Sequence, residues 1–389
     1  MSAPVSGALA RESIETPFPI QRLVIPEAVT GRDILAKSPT GSGKTLAFAV
    51  PIVERLEPSS PRPAALILTP TRELAMQVGE HFRPIAKARG LRVATVYGGV
   101  PIGPQAKKAA SAHIVVGTPG RLRDLVSRGV LSLKRIQIVV LDEADRMLDM
   151  GFRPQVDWLI AKLPGERQTM FFSATLDGAV GAMADEYTRD ARRCESVPEK
   201  PEEAVPIDHR FVPVTAETKV ETLVELLGEE RGLALVFVRT KRGADRLARR
   251  LERHDVRAVS LHGDKTQAAR TRALERFESG RISTLVATDL AARGLDLSRI
   301  THVINFDPPA EGKDYVHRVG RTGRAGRSGV GITLVLPEQQ ADVSRVALRL
   351  GHDEEFRREG MKVAPARLVY SGRRGRNNRW GPVRSRRKI

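Results

Sequence analysis

The run Ile136-Gln137-Ile138-Val139-Val140-Leu141 is too short for a helix and rich in β-branched residues. It reads as a strand buried on both faces, the kind found in parallel sheets covered by helices on each side. Asp142-Glu143-Ala144-Asp145 follows it directly. Acids at the carboxyl end of such a strand stand where open α/β sheets bind ligands. Two carboxylates facing a phosphate need a cation between them and the anion. Mg2+ suits that place, because it takes oxygen ligands shared between carboxylates and phosphates. The bland alternative is that these acids only cap a helix starting at Arg146.

A stretch near the start of the chain decides between the two. Asp33-Ile34-Leu35-Ala36 reads as a short strand, and an apolar helix is expected from Leu46 to Leu56. Between them lie Lys37 and then Ser38-Pro39-Thr40-Gly41-Ser42-Gly43-Lys44-Thr45. Glycines let backbone N–H groups approach phosphate oxygens, and the helix N-terminus adds a favourable dipole. Lys44 is expected to reach the β- and γ-phosphates and Thr45 to ligate Mg2+. Ser38 stands where the strict form of this loop has glycine. With Asp142-Glu143 further along, the loop points to an NTPase. Asp142 would hold Mg2+ through water, and Glu143 would position and deprotonate the attacking water. Upstream, the amide of Gln21 could donate to and accept from an adenine edge at once.

Further strands are expected at Ala64–Leu68, Arg92–Tyr97, His113–Val116 and Thr169–Phe172, with helical patterns between them, Glu73–Arg89 being the clearest. The pattern weakens at Pro198-Glu199-Lys200-Pro201-Glu202-Glu203, a charged, proline-containing linker. A second strand series follows at Ile207–Val212, Leu233–Val238, Arg257–Leu261, Thr284–Ala287, His302–Phe306 and Gly331–Leu336. Helices are expected at Lys241–Arg253 and Gln267–Phe277, and a helix-like segment from Leu336 to Glu359. The chain is therefore α/β, with two tandem parallel-sheet domains. Only the first has a phosphate loop. The boundaries are 1–200 for the first domain, 206–355 for the second and 356–389 for a basic tail.

Charge supports a polyanionic partner. The net charge is +18, and Arg367–Ile389 contributes eight Arg and one Lys without an acid. Such a tail is expected to be disordered. Tyr370 and Trp380 in it could stack on bases, so loose nucleic-acid contact is the expectation. The single cysteine, Cys194, excludes an internal disulfide or a cysteine metal cluster, fits a reducing cytosol, and is expected to be inert. No apolar stretch approaches the ~18 residues of a membrane span.

At this point the chain resembles the DEAD-box RNA helicases of superfamily two, over residues 14 to 340. Pro17-Phe18-Pro19-Ile20-Gln21 resembles the family's Q motif, Ser38–Thr45 motif I, and Pro70-Thr71-Arg72-Glu73-Leu74-Ala75 motif Ia. Gly98-Gly99, Thr118-Pro119-Gly120-Arg121, Asp142–Asp145 and Ser173-Ala174-Thr175 continue the order. In the second half Leu235–Thr240 resembles motif IV, and His262-Gly263-Asp264 with Gln267 and Arg270 the segment after it. Thr288–Asp296 resembles motif V and His317–Arg324 motif VI. The chain begins downstream of the family's adenine-stacking aromatic. Ser13 stands where the family has glycine, and Pro39 where it has a polar residue.

The resemblance implies two RecA-like domains and ATP with Mg2+ as ligands. Ser38 to Thr45 and Gln21 would bind the nucleotide and Asp296 its ribose. Arg321 and Arg324, three apart on an expected helix, would reach the γ-phosphate. His317 would link to Asp145 and Ser173–Thr175. Thr71, Arg72, Gly99, Thr118, Gly120, Arg121, Thr240, Gly263 and Thr288 would hold the RNA sugar-phosphate backbone. The implied activity is an RNA-dependent ATPase that unwinds short duplexes or remodels RNA–protein complexes. An ATP-gated RNA clamp is the alternative, and a DNA-directed motor a third reading. A cytoplasmic monomer is expected, with ribosomal or mRNA-decay complexes as settings.

Overall fold

A computed structural model describes residues 1–38, 42–195, 207–229, 232–292, 299–323 and 328–364. The first sheet contains β1 (Ile34–Lys37), β2 (Ala65–Leu68), β3 (Val93–Val96), β4 (Ile114–Gly117), β5 (Ile138–Leu141), β6 (Gln168–Ser173) and β7 (Arg192–Glu195). Their spatial order is β3-β4-β2-β5-β6-β1-β7. The second contains β8 (Ile207–Pro213), β9 (Leu233–Phe237), β10 (Ala258–Leu261), β11 (Thr284–Ala287), β12 (Ile300–Asn305) and β13 (Gly329–Val335). Its order is β10-β11-β9-β12-β13-β8. Every strand pairing described in both sheets is parallel.

Alternation along the strands explains their continuous apolar runs. Ile138 and Val140 enter one core of the first domain, while Val139 and Leu141 enter the core on the opposite face. Ala234 and Val236 likewise face away from Leu235 and Phe237 in the second domain. Successive side chains point to opposite faces, so a strand with helices on both sides must be apolar throughout. The loops at the carboxyl ends are thereby left to carry the polar residues.

Three features go beyond the sequence reading or correct it. Residues 1–30 hold a helix, Ala3–Arg11, whose Val5, Ala8 and Leu9 are buried. Its apolar spacing is helical, and Pro4 sits in the first turn, where a missing N–H costs nothing. The edge strand β7 was not expected, because only its Cys194 is buried. Finally, the basic tail does not begin at 356. Phe356 is fully buried in the second domain's core, and Met361 joins it. The helix Asp353–Arg358 is too short to show a period, so its one apolar anchor went unread. The linker 198–203 and the tail from 367 lie outside the described residues.

Candidate active site and nucleic-acid interface

Both sheets place their chemistry at the carboxyl ends of the strands. In the first domain β1, β5 and β6 lead into Ser38, Asp142 and Ser173. The neighbouring strands β2 and β4 end before Thr71 and Thr118. One sheet edge thus carries two adjacent sites.

The first site surrounds the loop before the helix Lys44–Arg55. Lys44 is buried, and its Nζ donates to the Ser38 carbonyl at 3.0 Å. Ser38 Oγ donates to Ser42 Oγ at 2.5 Å. Gly43 has φ +82°, and a Cβ there would stand 2.6 Å from Gln21 Nε2 and 2.8 Å from the Phe18 ring. Glycine is required on both counts. The Gln21 amide is engaged at both ends. Oε1 accepts from the Phe18 N–H at 3.0 Å, and Nε2 donates to the Gly43 carbonyl at 2.8 Å. Gln21 therefore ties the entering segment to the loop. Thr45 sits half-buried in the first helical turn. Pro39, Thr40 and Gly41 lie outside the described residues.

Asp142 is buried, and its Oδ1 has no hydrogen-bond partner among the described residues. Burial pushes its carboxyl up to about 7, against the opposing pull of Lys44. A carboxylate oxygen left bare in the interior fits a cation, so these residues suit Mg2+. Glu143 has φ +53°, a strained conformation for a residue with a side chain. Its Oε2 accepts from Arg146 Nη1 at 2.9 Å, and both side chains are buried. Asp145 joins this strand end to the next, because its Oδ2 accepts from the Ala174 N–H at 3.3 Å.

The second site is a cleft of about 570 Å³ lined from both domains. Thr71, Arg72, Thr118, Gly120, Arg121 and Gly263 line it, as do Gly98, Lys241 and Leu290. Gly99 and Thr240 adjoin lining residues in the chain, and Thr288 lies just before Leu290. Thr71 and Thr240 cap helices, their hydroxyls accepting from Leu74 N at 3.2 Å and Gly243 N at 3.0 Å. With the helix that starts at Pro119, three helix N-termini open on the cleft. Such termini attract phosphate. Arg72 lies so close to Gly99 that a Cβ there would fall 1.9 Å from its Nη1. Arg121 is held by Gln105 Oε1 at 2.8 Å and the Val100 carbonyl at 2.9 Å. Across the cleft Arg270 donates to Glu73 Oε1 through Nε at 2.7 Å and Nη2 at 2.6 Å, with both side chains buried.

Motif VI departs from expectation. Its helix is Gly312–Val319 and is capped by Gly320, so Arg321 lies beyond the helix on which it was expected. Glycines suit the close contacts of the segment that follows the helix. A Cβ on Gly320 would meet the Val316 carbonyl at 2.9 Å, and Gly323 has φ +66° against Ile207. Arg321 is buried, and its Nε donates to the His317 carbonyl at 3.3 Å. Both side chains line a small pocket with Asp289 and Arg318. Arg324 and Asp296 lie outside the described residues. Sequence reasoning missed Arg318, which grips both Asp289 carboxylate oxygens at 2.5 and 2.7 Å and also Asn305 Oδ1 at 3.0 Å. It missed the Glu73–Arg270 pair for the same reason, since distant segments bring the two together, and it also missed Arg146. Only Arg146 gave a signal, three residues after Glu143 on the same turn.

A phosphate loop, an acidic pair at the end of β5 and a two-domain anion cleft define a P-loop NTPase built to act on a polyanion. The comparisons narrow the class. Residues 18–182 match the DEAD/DEAH box helicase family, and residues 218–326 match the helicase conserved C-terminal domain. The DEAD-box ATP-dependent RNA helicase CshA of Bacillus licheniformis is 41% identical over 342 residues, covering 87% of this chain and 70% of that protein. S. cerevisiae Dbp5 bound to RNA and ADP BeF3 superposes with a TM-score of 0.81 at 30% identity, over 90% of this chain and 92% of that one. A point variant of Dbp5, bound to Nup159, a Gle1 variant, IP6 and ADP, gives 0.63 at 30% identity, over 90% and 93%. The chain belongs to the DEAD-box family of ATP-dependent RNA helicases. Its two domains are RecA-like, and their arrangement resembles the RNA-bound form of Dbp5 more than the ADP form with partner proteins.

Proposed function

We propose that this protein couples ATP binding and hydrolysis to closure of its two domains on RNA, opening short duplexes locally and releasing the strand after hydrolysis. The observation that carries the reading is the cleft itself. Its walls come from both domains, and the buried Glu73–Arg270 pair crosses it. Closure and RNA binding are then one event.

ATP lies against the loop 38–45, with Lys44 turning from the Ser38 carbonyl to the β- and γ-phosphates. The exposed ring of Phe18, packed on Gly43, offers the adenine an apolar face beside Gln21. Asp296 meets the ribose. Thr45 and Asp142 would hold Mg2+, which would neutralise phosphate charge. Glu143 accepts the proton of the attacking water, and Arg146 fixes the orientation of its carboxylate. Arg321 and Arg324 stabilise charge on the γ-phosphate, and His317 links them to Asp145 and Ser173–Thr175. Thr71, Arg72, Gly99, Thr118, Gly120, Arg121, Thr240, Gly263 and Thr288 contact the sugar-phosphate backbone. Such contacts position a strand without reading its sequence. Recognition of 2′-hydroxyls would select RNA. The protein works as a cytoplasmic monomer. No described helix is long and apolar enough to cross a membrane.

Steady-state ATP hydrolysis without nucleic acid, with single-stranded RNA and with matched DNA tests this reading. Strong stimulation by RNA alone supports it. Equal stimulation by DNA overturns the RNA assignment, and RNA binding without turnover favours a clamp.

A further inference from the structure

The helix Lys241–Glu252 carries charge that the cleft does not use. Its buried face is Ala244, Leu247, Ala248 and Leu251. The opposite face is Arg242, Arg246, Arg249 and Arg253, spaced four, three and four apart. At 3.6 residues per turn these positions fall on one line. All four side chains are exposed, and none forms an ion pair among the described residues. The nearest acid on the helix, Asp245, is already held by Lys265 at 2.8 Å and Ser260 at 2.6 Å. Glu252 lies to one side. Four unpaired guanidiniums in a row repel one another, and an anion with a repeating charge would offset that repulsion.

The row is continuous with the cleft. Thr240 caps the helix, and Lys241, its first residue, lines the cleft wall. From there the arginines run about 16 Å along the outside of domain two, at 1.5 Å per residue. Beyond the helix lies a hollow of about 290 Å³ lined by Arg257, Arg276 and Arg281, with Glu252 and Asp255 on its wall.

We infer that this row is a second RNA contact. It holds the phosphates of the strand segment that leaves the cleft on the domain-two side. The inference rests on the cleft being the RNA site. The contact is electrostatic, independent of sequence, and lengthens the footprint on a single strand.

The test compares the full chain with the Arg242→Gln, Arg246→Gln, Arg249→Gln, Arg253→Gln variant and with its all-lysine counterpart. Glutamine and lysine keep helix propensity. Each protein is titrated, with a non-hydrolysable ATP analogue, against a short oligoribonucleotide that only fills the cleft and a strand several times longer. The short strand should bind all three proteins alike. The long strand should bind the glutamine variant roughly tenfold more weakly, with a log–log salt slope shallower by about 3, while the lysine variant keeps the parent slope. Long-strand affinity and slope unchanged in the glutamine variant would overturn the inference and leave the cleft reading standing. A parent that binds the long strand but not the short one would overturn both.

Discussion

Arg146 and Ser13 show how single residues set the first domain's properties. Arg146 is the buried counter-charge to Glu143. Removing one partner of such a pair leaves the other charged and desolvated, at a cost of about 3–5 kcal/mol. Arg146→Ala should therefore lower the unfolding free energy by that order, read as a lower urea midpoint, and also slow turnover. An unchanged midpoint would show that Glu143 does not depend on Arg146. Ser13 ends the helix Ala3–Arg11 with φ +58°, its N–H bonding the Ala10 carbonyl while the Ile14 N–H bonds the Leu9 carbonyl. This is the left-handed helix terminus that glycine favours. Ser13→Gly should stabilise the protein by about 1 kcal/mol, read as a rise in melting temperature; a fall would contradict the account. The phosphate loop after β1 and the acids after β5 were legible, because phosphate chemistry dictates their types and spacing. Arg318 and the Glu73–Arg270 pair were not, because distant segments create them.

At the scale of elements, the second domain's closing layer carries two predictions. Phe356 fixes the helix Asp353–Arg358 to the core against Phe211, with ring centroids 5.3 Å apart. Phe356→Ala should cost about 3–5 kcal/mol by urea unfolding. A change near zero would return that helix to the tail. Close by, His209 bonds the Tyr315 hydroxyl at 2.7 Å and stacks on His352 with centroids 3.8 Å apart. Burial, then the neighbouring His352, lowers its pKa from 6.5 to about 4. Between those two values the unfolded chain takes up a proton that the folded chain refuses, so stability falls as pH drops through that window. Urea midpoints at about pH 7 and about pH 5 should differ less in His209→Phe than in the parent, and equal differences would contradict this. The fully buried strands were legible because burial on both faces forces a continuous apolar run. The strand β7 was not, because it joins the sheet through its backbone with one buried side chain.

The whole molecule is two sheets whose carboxyl edges share a cleft. β2 and β4 of the first domain and β9, β10 and β11 of the second lead into its walls. The tandem domains were legible from repeated strand–helix alternation. The contact between them was not, since no local pattern encodes which edges meet. The central claim is that RNA and ATP together hold this arrangement. Energy transfer between dyes on introduced surface cysteines, one per domain, measures it directly. Cys194 does not interfere, being buried with its thiol pKa pushed up by burial. High transfer should require RNA and a non-hydrolysable ATP analogue together, and either alone should leave it low. The same transfer with neither ligand, or with ATP analogue alone, would contradict closure on RNA.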